Sequence, residues 1–224
     1  GGEAMKTKFM KKIFLLSVLT LGFGISRQAY ADYSDAFKNG IMQELLNITS
    51  SSQGNSYGKS SLTFTQDGST DGLETLVASY PKSQHKEVRA SLKQLYEAFP
   101  QVARSVGIPT NDLSSAVAAV IAGAYMAYNN VSLNDDYVKP MANQFKAHLE
   151  NSGFFDGMSN REKKSMYDQM VMVGMTLAVG QSLNQSNPNS QTTAQLREAG
   201  KQILEAILKV DADRVRITAQ GISY

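Results

Sequence analysis

The sequence predicts an all-α fold: a compact bundle of about five to six helices with a short strand at the C-terminus. Three observations carry this. From Leu73 onward, apolar residues recur at spacings of three and four, the period of an amphipathic helix. Two stretches without a charged residue, 113–134 and 169–196, are rich in small residues, with Ala116, Ala119, Gly123 and Ala124 in one and Gly174, Ala178 and Gly180 in the other. The alternation that marks a strand is visible only near the end, where Val215 and Ile217 alternate with Arg214 and Arg216.

The chain opens with a targeting pattern. "MKTKFMKK" carries Lys6, Lys8, Lys11 and Lys12, an apolar run of 13 residues follows from Ile13 to Ile25, and "SRQAYA" ends in the small-x-small triplet Ala29-Tyr30-Ala31. Together these form a secretory signal peptide, with cleavage expected after Ala31. The apolar run is short of the roughly 20 residues that a membrane span needs. "GGEA", ahead of Met5, fits no targeting pattern and reads as over-extended translation. The sequence has no Cys, so no lipid-anchored cysteine and no disulfide is expected, and a lipoprotein is excluded.

Residues 32–48 read as a short amphipathic helix on Phe37, Ile41, Leu45 and Ile48. Residues 49–72, rich in Ser, Gly, Thr and Asn, bury too little apolar surface to offset ordering entropy and read as a flexible linker. Residues 73–224 form the helical domain. Its first long helix carries Val88, Leu92, Leu95, Phe99 and Val102, with Pro100 expected to kink or end it near Phe99 and Gly107 and Pro109 to stop it. Thr110 or Asn111 is the expected cap of the next helix, on Leu113, Val117, Val120, Ala124 and Tyr128. A further helix places Val138, Met141, Phe145 and Leu149 on one face. Pro140 fits its first turn, Gly153 ends it with a left-handed cap, and Phe154 is placed for the accompanying contact. Ser159 and Glu162 form a capping box ahead of Met166, Met170, Val173 and Leu177. Thr192 and Gln195 repeat that spacing before Leu196, Ile203, Ile207 and Val210.

The most apolar run beyond the leader, "VMVGMTLAVG" at 171–180, has only ten residues, and its uncharged surroundings are largely Ser, Asn and Gln. A membrane does not tolerate that pattern at that length. Two helices that are apolar all round belong in the middle of a bundle, packed on each other through small residues.

Charge narrows the partners. Residues 1–31 hold five of the 22 basic and one of the 20 acidic side chains, so their removal leaves 17 against 19, a net of −2. A near-neutral chain whose longest basic run is "KK" is a poor match to a phosphate backbone, so no nucleic acid is expected. "REKK" at 161–164 reads as the solvated first turn of a helix.

Candidate chemistry is sparse. Met166, Met170, Met172 and Met175 offer soft ligands, but on a core face without Cys or His they read as packing. Asp67, Ser69, Asp71 and Gly72 match the early positions of a calcium loop, yet its twelfth position is Ala78, and Asp71 with Glu74 reads as a capping box. No metal and no cofactor is expected. His85 and His148 lie far apart, and His148 reads as a partly buried structural side chain. No nucleophile or phosphate-loop motif is present. Asp112, Asp135, Asp136, Asp156 and Asp168 remain as carboxylates that nothing in the sequence pairs. Asp112 and Asp168 each fall near the start of a central helix, where the dipole favours an acid. Asn111, Asp112 and Asp168 are the candidate binding residues; no catalytic residue is assigned.

Three segments carry a resemblance: "NDLSSAVAA" at 111–119, "SNREKKSMYDQM" at 159–170 and "DADRVRIT" with "GI" at 211–222. They resemble a family of uncharacterised bacterial secreted or periplasmic proteins, a domain of unknown function, over residues 88–222. The resemblance implies a compact helical domain behind a signal peptide and carries no catalytic residue. The family's Asn-Asp helix start corresponds to Asn111-Asp112, and residues 49–72 lie outside the matching region.

Three functions fit. The leading one is an exported, non-enzymatic helical binding or interaction module, periplasmic or extracellular, with another envelope or secreted protein as partner. The second is a cell-envelope or polysaccharide hydrolase. The third is a membrane-active or toxin-like protein whose Ala/Gly-rich hairpin inserts after a trigger. A cleft with two close carboxylates favours the second, and an exposed 116–128 or 170–180 face favours the third.

Overall fold

The computed structural model of this protein describes residues 61–153 and 155–224. The leader, the 32–48 segment, residues 49–60 and Phe154 lie outside the described residues. Six helices make up the body: α1 Asp71–Ala78, α2 His85–Val106, α3 Leu113–Asn129, α4 Val138–Ser152, α5 Asn160–Ser186 and α6 Ser190–Leu208. A two-stranded antiparallel hairpin closes the chain, with β1 Arg216–Thr218 pairing residue for residue with β2 Gly221–Ser223. The all-α expectation and the short C-terminal strand both hold.

Helix α3 is the hub. It packs on α5, α6 and α4, while α5 also carries α2 and α1. Leu113, Ala116, Ala118, Val120, Ile121 and Ala124 of α3 are fully inaccessible to solvent, as are Met170, Val171, Val173 and Leu177 of α5. Small residues set the distance between helices. A Cβ at Gly174 would sit 2.5 Å from the Ala119 carbonyl oxygen, and one at Gly123 would strike the Gly174 backbone. Gly200 repeats the arrangement where α6 crosses α3 beside Ala124 and Tyr128. The 171–180 run is thus the middle of a core, as its length and small residues led one to expect. No described helix is long and apolar enough to cross a membrane.

Several local expectations are corrected. Helix α2 continues through Pro100 to Val106. Leu92, Leu95, Phe99 and Ala103, on both sides of the proline, are buried, and that burial outweighs the roughly 3 kcal/mol an internal proline costs. The cap of α3 is Asp112, whose Oδ1 accepts from Ser114 N at 2.9 Å, rather than Thr110 or Asn111. Asn189, not Thr192, caps α6, accepting from Gln191 N and Thr192 N at 3.0 Å each. At the start of α1 the Asp71–Glu74 box does not form: Asp71 binds Arg161 and Glu74 binds Arg89 instead. Ser159 caps α5 as expected, with Glu162 N donating to its hydroxyl at 3.1 Å. Gly153 ends α4 at φ +69°.

The linker boundary also moves. Residues 61–70 lie across the bundle as an extended strap, and α1 begins at Asp71, inside the segment that composition assigns to the linker. Leu62 and Phe64 are 3% and 8% exposed. Their burial, with the hydrogen bonds described next, supplies what the composition of the strap lacks.

Candidate functional site

The candidate residues Asn111, Asp112 and Asp168 converge around Tyr167. The Asn111 N–H donates to the Tyr167 hydroxyl at 3.1 Å, and Tyr167 is pushed up to about 12 by burial first and then by the acidic Asp168 and Asp112 beside it. Asn111 holds a left-handed φ of +54°, which lets its carbonyl and its side chain turn to the strap together. The carbonyl accepts from Phe64 N at 3.2 Å, and Oδ1 accepts from Gln66 Nε2 at 2.8 Å. Leu113 N donates back to Leu62 O at 3.0 Å, so residues 62–64 and 111–113 form a single antiparallel bridge.

Asp168 is not near a helix start. It lies in the third turn of α5, beyond the reach of the dipole, and it is 4% exposed. Its Oδ2 pairs with Lys164 Nζ at 2.5 Å, one turn earlier, and both side chains are about 5% exposed. Burial holds the Asp168 carboxyl above its ordinary value, opposed by the Lys164 hydrogen bond and by the Tyr96 hydroxyl that faces it. Oδ1 is buried with no close hydrogen-bond partner among the described residues. Lys164 also donates to Ser69 O at 2.7 Å and lies 5.6 Å from the Tyr96 ring centre. Phe64, Tyr96 and Phe99 pack edge-to-face around Tyr167.

The first turns of α5 read the strap backbone. The Asn160 side chain accepts from Thr65 N and donates to Thr65 O, both at 2.8 Å, imitating a neighbouring strand. Lys163 donates to Ser61 O, and Arg161 holds Asp71 through both carboxylate oxygens. The "REKK" run is the first turn of α5 as expected, exposed at Arg161 and Glu162, but it is also a fastening: Arg161, Lys163 and Lys164 hold the strap and the Asp71 that follows it, and Lys164 is buried. Sequence reasoning missed Phe64, Tyr96, Asn160, Lys164 and Tyr167. One local signal was the four-residue spacing of Lys164 and Asp168.

The remaining candidates resolve as structure. Asp67 accepts from Ser69 N at 2.9 Å and Asp71 is held by Arg161, so both early positions of the calcium-like loop are occupied by protein partners. The four methionines are buried in the core. His85 Nε2 bonds to Tyr80 O at 2.7 Å, whereas His148 is exposed rather than partly buried, because it lies off the Phe145 and Leu149 face.

A second feature is concave. A pocket of about 120 Å³ opens between α2, α3 and α5, close to where Gly123 and Gly174 let the two central helices meet. Met126 and Met175 lie beside the crossing, and Asp135 and Ser182 are the two polar residues among the sixteen that line it. The polar cluster and the pocket occupy different parts of α5. Lys164 and Asp168 serve the strap, while residues 174–182 line the pocket.

No curated protein and no solved structure matches this sequence significantly. From residue 23 to 224, a span wider than the 88–222 expected and one that includes residues 49–72, the chain belongs to a family of unknown function, DUF6683.

Proposed function

We propose that this protein is an exported, non-enzymatic helical binding module that holds a small apolar ligand between α2, α3 and α5. The pocket carries this reading: it is concave, almost wholly apolar, and lined at its edge by two polar groups, the usual character of a ligand site. The polar cluster is taken up in the fold: the Lys164–Asp168 pair is about 5% exposed, Asp112 caps α3 and Tyr167 receives the Asn111 N–H. The 116–128 and 170–180 faces that a membrane-active hairpin would present are buried against each other. The tripartite leader at 5–31 supports export to the periplasm or beyond the cell. A partner protein from the envelope or the secreted fraction fits that address.

Two measurements test the reading. Benzene at saturation should raise the thermal midpoint of the purified chain and shift amide resonances of pocket residues, as ligands of a folded state do by mass action. The chain should release no soluble fragments from purified cell wall. Turnover that disappears in Asp168→Asn would replace binding by hydrolysis. Intact mass of the exported protein should begin at Asp32, and retention of residues 5–31 would remove the export reading.

A further inference from the structure

We infer that residues 32–48 of this chain dock as an amphipathic helix along the pocket and compete with its ligand, a regulation of that site that rests on the binding reading above. The pocket is open along its length. Val102 and Val106 on α2, Ala119 and Met126 on α3 and Ala178 on α5 all line it, and all are partly exposed. Three helices thus share one apolar trough. Its walls run over residues 99–106, 119–126 and 174–182, about 10–12 Å each at 1.5 Å per residue. A helix laid by its apolar face into a groove of this kind is a recurrent mode of recognition.

The chain carries a segment that matches. Residues 32–48 lie outside the described residues, and their sequence places Phe37, Ile41, Leu45 and Ile48 on one helical face. From Phe37 to Leu45 that stripe covers about 12 Å, the length of the trough. Glu44 falls at the edge of the stripe on a helical period, and Lys139 stands beside the trough, next to Val138 and against Gly107. The family match starts at residue 23, so the segment belongs to the family's domain and is not an appendage to it.

The path of the chain leads to the trough. Asn160 holds Thr65, and Lys163, almost one turn farther along α5, holds Ser61. Followed back towards the N-terminus, the strap therefore runs in the direction of the pocket. It does so on the pocket's side of α5, because Asn160 and Ala178 are about five turns apart and share a face. From Lys163 to the 174–182 wall is about 17–28 Å along the axis, and residues 49–60 extend to about 40 Å. The segment reaches the trough of its own chain, and its apolar side chains then fill the space that a ligand would take.

The sequence has no Cys, so a single spin label at Asn47→Cys, off the apolar stripe, reports where the segment sits. In the purified full chain the label should broaden amide resonances of 119–126 and 174–182. Ile41→Asp combined with Leu45→Asp should abolish that broadening and leave the amides of the strap where they are, which shows the bundle folded. Benzene should then bind the double variant at least about threefold more tightly than the parent, as for a site free a third of the time or less. Glu44→Lys should weaken the broadening, and Lys139→Glu should restore it.

A spectrum without broadening at either wall would overturn the docking and leave the ligand reading intact. Broadening that survives the double variant would overturn the apolar stripe as the contact. Broadening of an isotope-labelled chain by a separate spin-labelled one would move the segment to a second copy and overturn docking within one chain. Equal benzene affinity in parent and double variant would overturn the competition. Benzene that binds neither, with the broadening in place, would remove the ligand and the competition while leaving the docked segment.

Discussion

The α3–α5 crossing is buried and the strap junction only at Leu62, Phe64 and the Lys164–Asp168 pair, and the two are built from opposite materials. The crossing is apolar and close-packed, with glycine and alanine setting its geometry. The strap junction rests on directional bonds from Asn160, Arg161, Lys163 and Lys164, with only Leu62 and Phe64 as buried apolar anchors. Packing is tolerant in direction but unforgiving in volume. A polar junction tolerates neither the loss of a partner nor a change in protonation. The two regions should therefore fail differently.

The largest effect is expected from Lys164→Met. It leaves the Asp168 carboxylate buried without its cation and frees Ser69 O, and loss of one partner from a buried pair costs about 3–5 kcal/mol. The readout is the urea midpoint. Lys164→Met combined with Asp168→Leu should recover most of the loss, because the uncompensated charge goes with it. A single variant as stable as the parent would show that the pair is solvated. Gly174→Leu tests the other region. Its side chain must enter the Ala119 and Val120 backbone, so destabilisation above about 2 kcal/mol is expected, at the upper part of the overpacking range. An unchanged midpoint would mean that the central helices are not in contact.

Asn160→Ala sharpens the contrast. Two hydrogen bonds to Thr65 are lost at an exposed position, so the global effect should stay near 1 kcal/mol. The local effect should be clear in limited proteolysis, with faster cutting within 61–70 and none within 113–129. Cutting that begins in α3 would reverse the assignment of core and periphery. The smallest effect concerns pH. The Asp168 carboxyl is raised in the folded state, so the fold binds its proton more tightly than the unfolded chain does. That contribution is fully present below the unfolded value of 3.8 and is lost as pH rises through the raised folded value. Asp168→Asn should lack this downward slope when urea midpoints are compared from about pH 4 upward. Identical slopes in parent and variant would remove the shift from Asp168.

The same contrast governs what could be read from the sequence. The crossing was legible because Leu113, Val117, Val120 and Ala124 repeat at helical spacing, and Gly174 interrupts an apolar run where only a close neighbour explains it. The strap was not. "SLTFTQDGST" has the composition of a linker, and its order comes from residues about a hundred positions away. Leu62 and Phe64, two apart, were the local hint of an extended segment with one buried face. Asp112 was legible as a candidate because acids favour helix starts, but its role as the cap depended on the strap fixing Asn111 just before it. Asp168 was singled out for the wrong reason: its partner is the lysine one turn before it, not the helix dipole. The pocket left no mark, since space between three helices follows from how they cross rather than from any short pattern.

The Asn160 grip on Thr65 also sets an order in time. The two residues are 95 positions apart, and the chain is made from the strap end first. At synthesis rates of roughly 5–20 residues per second, Thr65 waits about 5–20 s before Asn160 exists to receive it. Through that interval Leu62 and Phe64 have no α5 to cover them, and the strap is open to proteases and chaperones. The last turn of the bundle to be made at this junction is the one that ends its exposure.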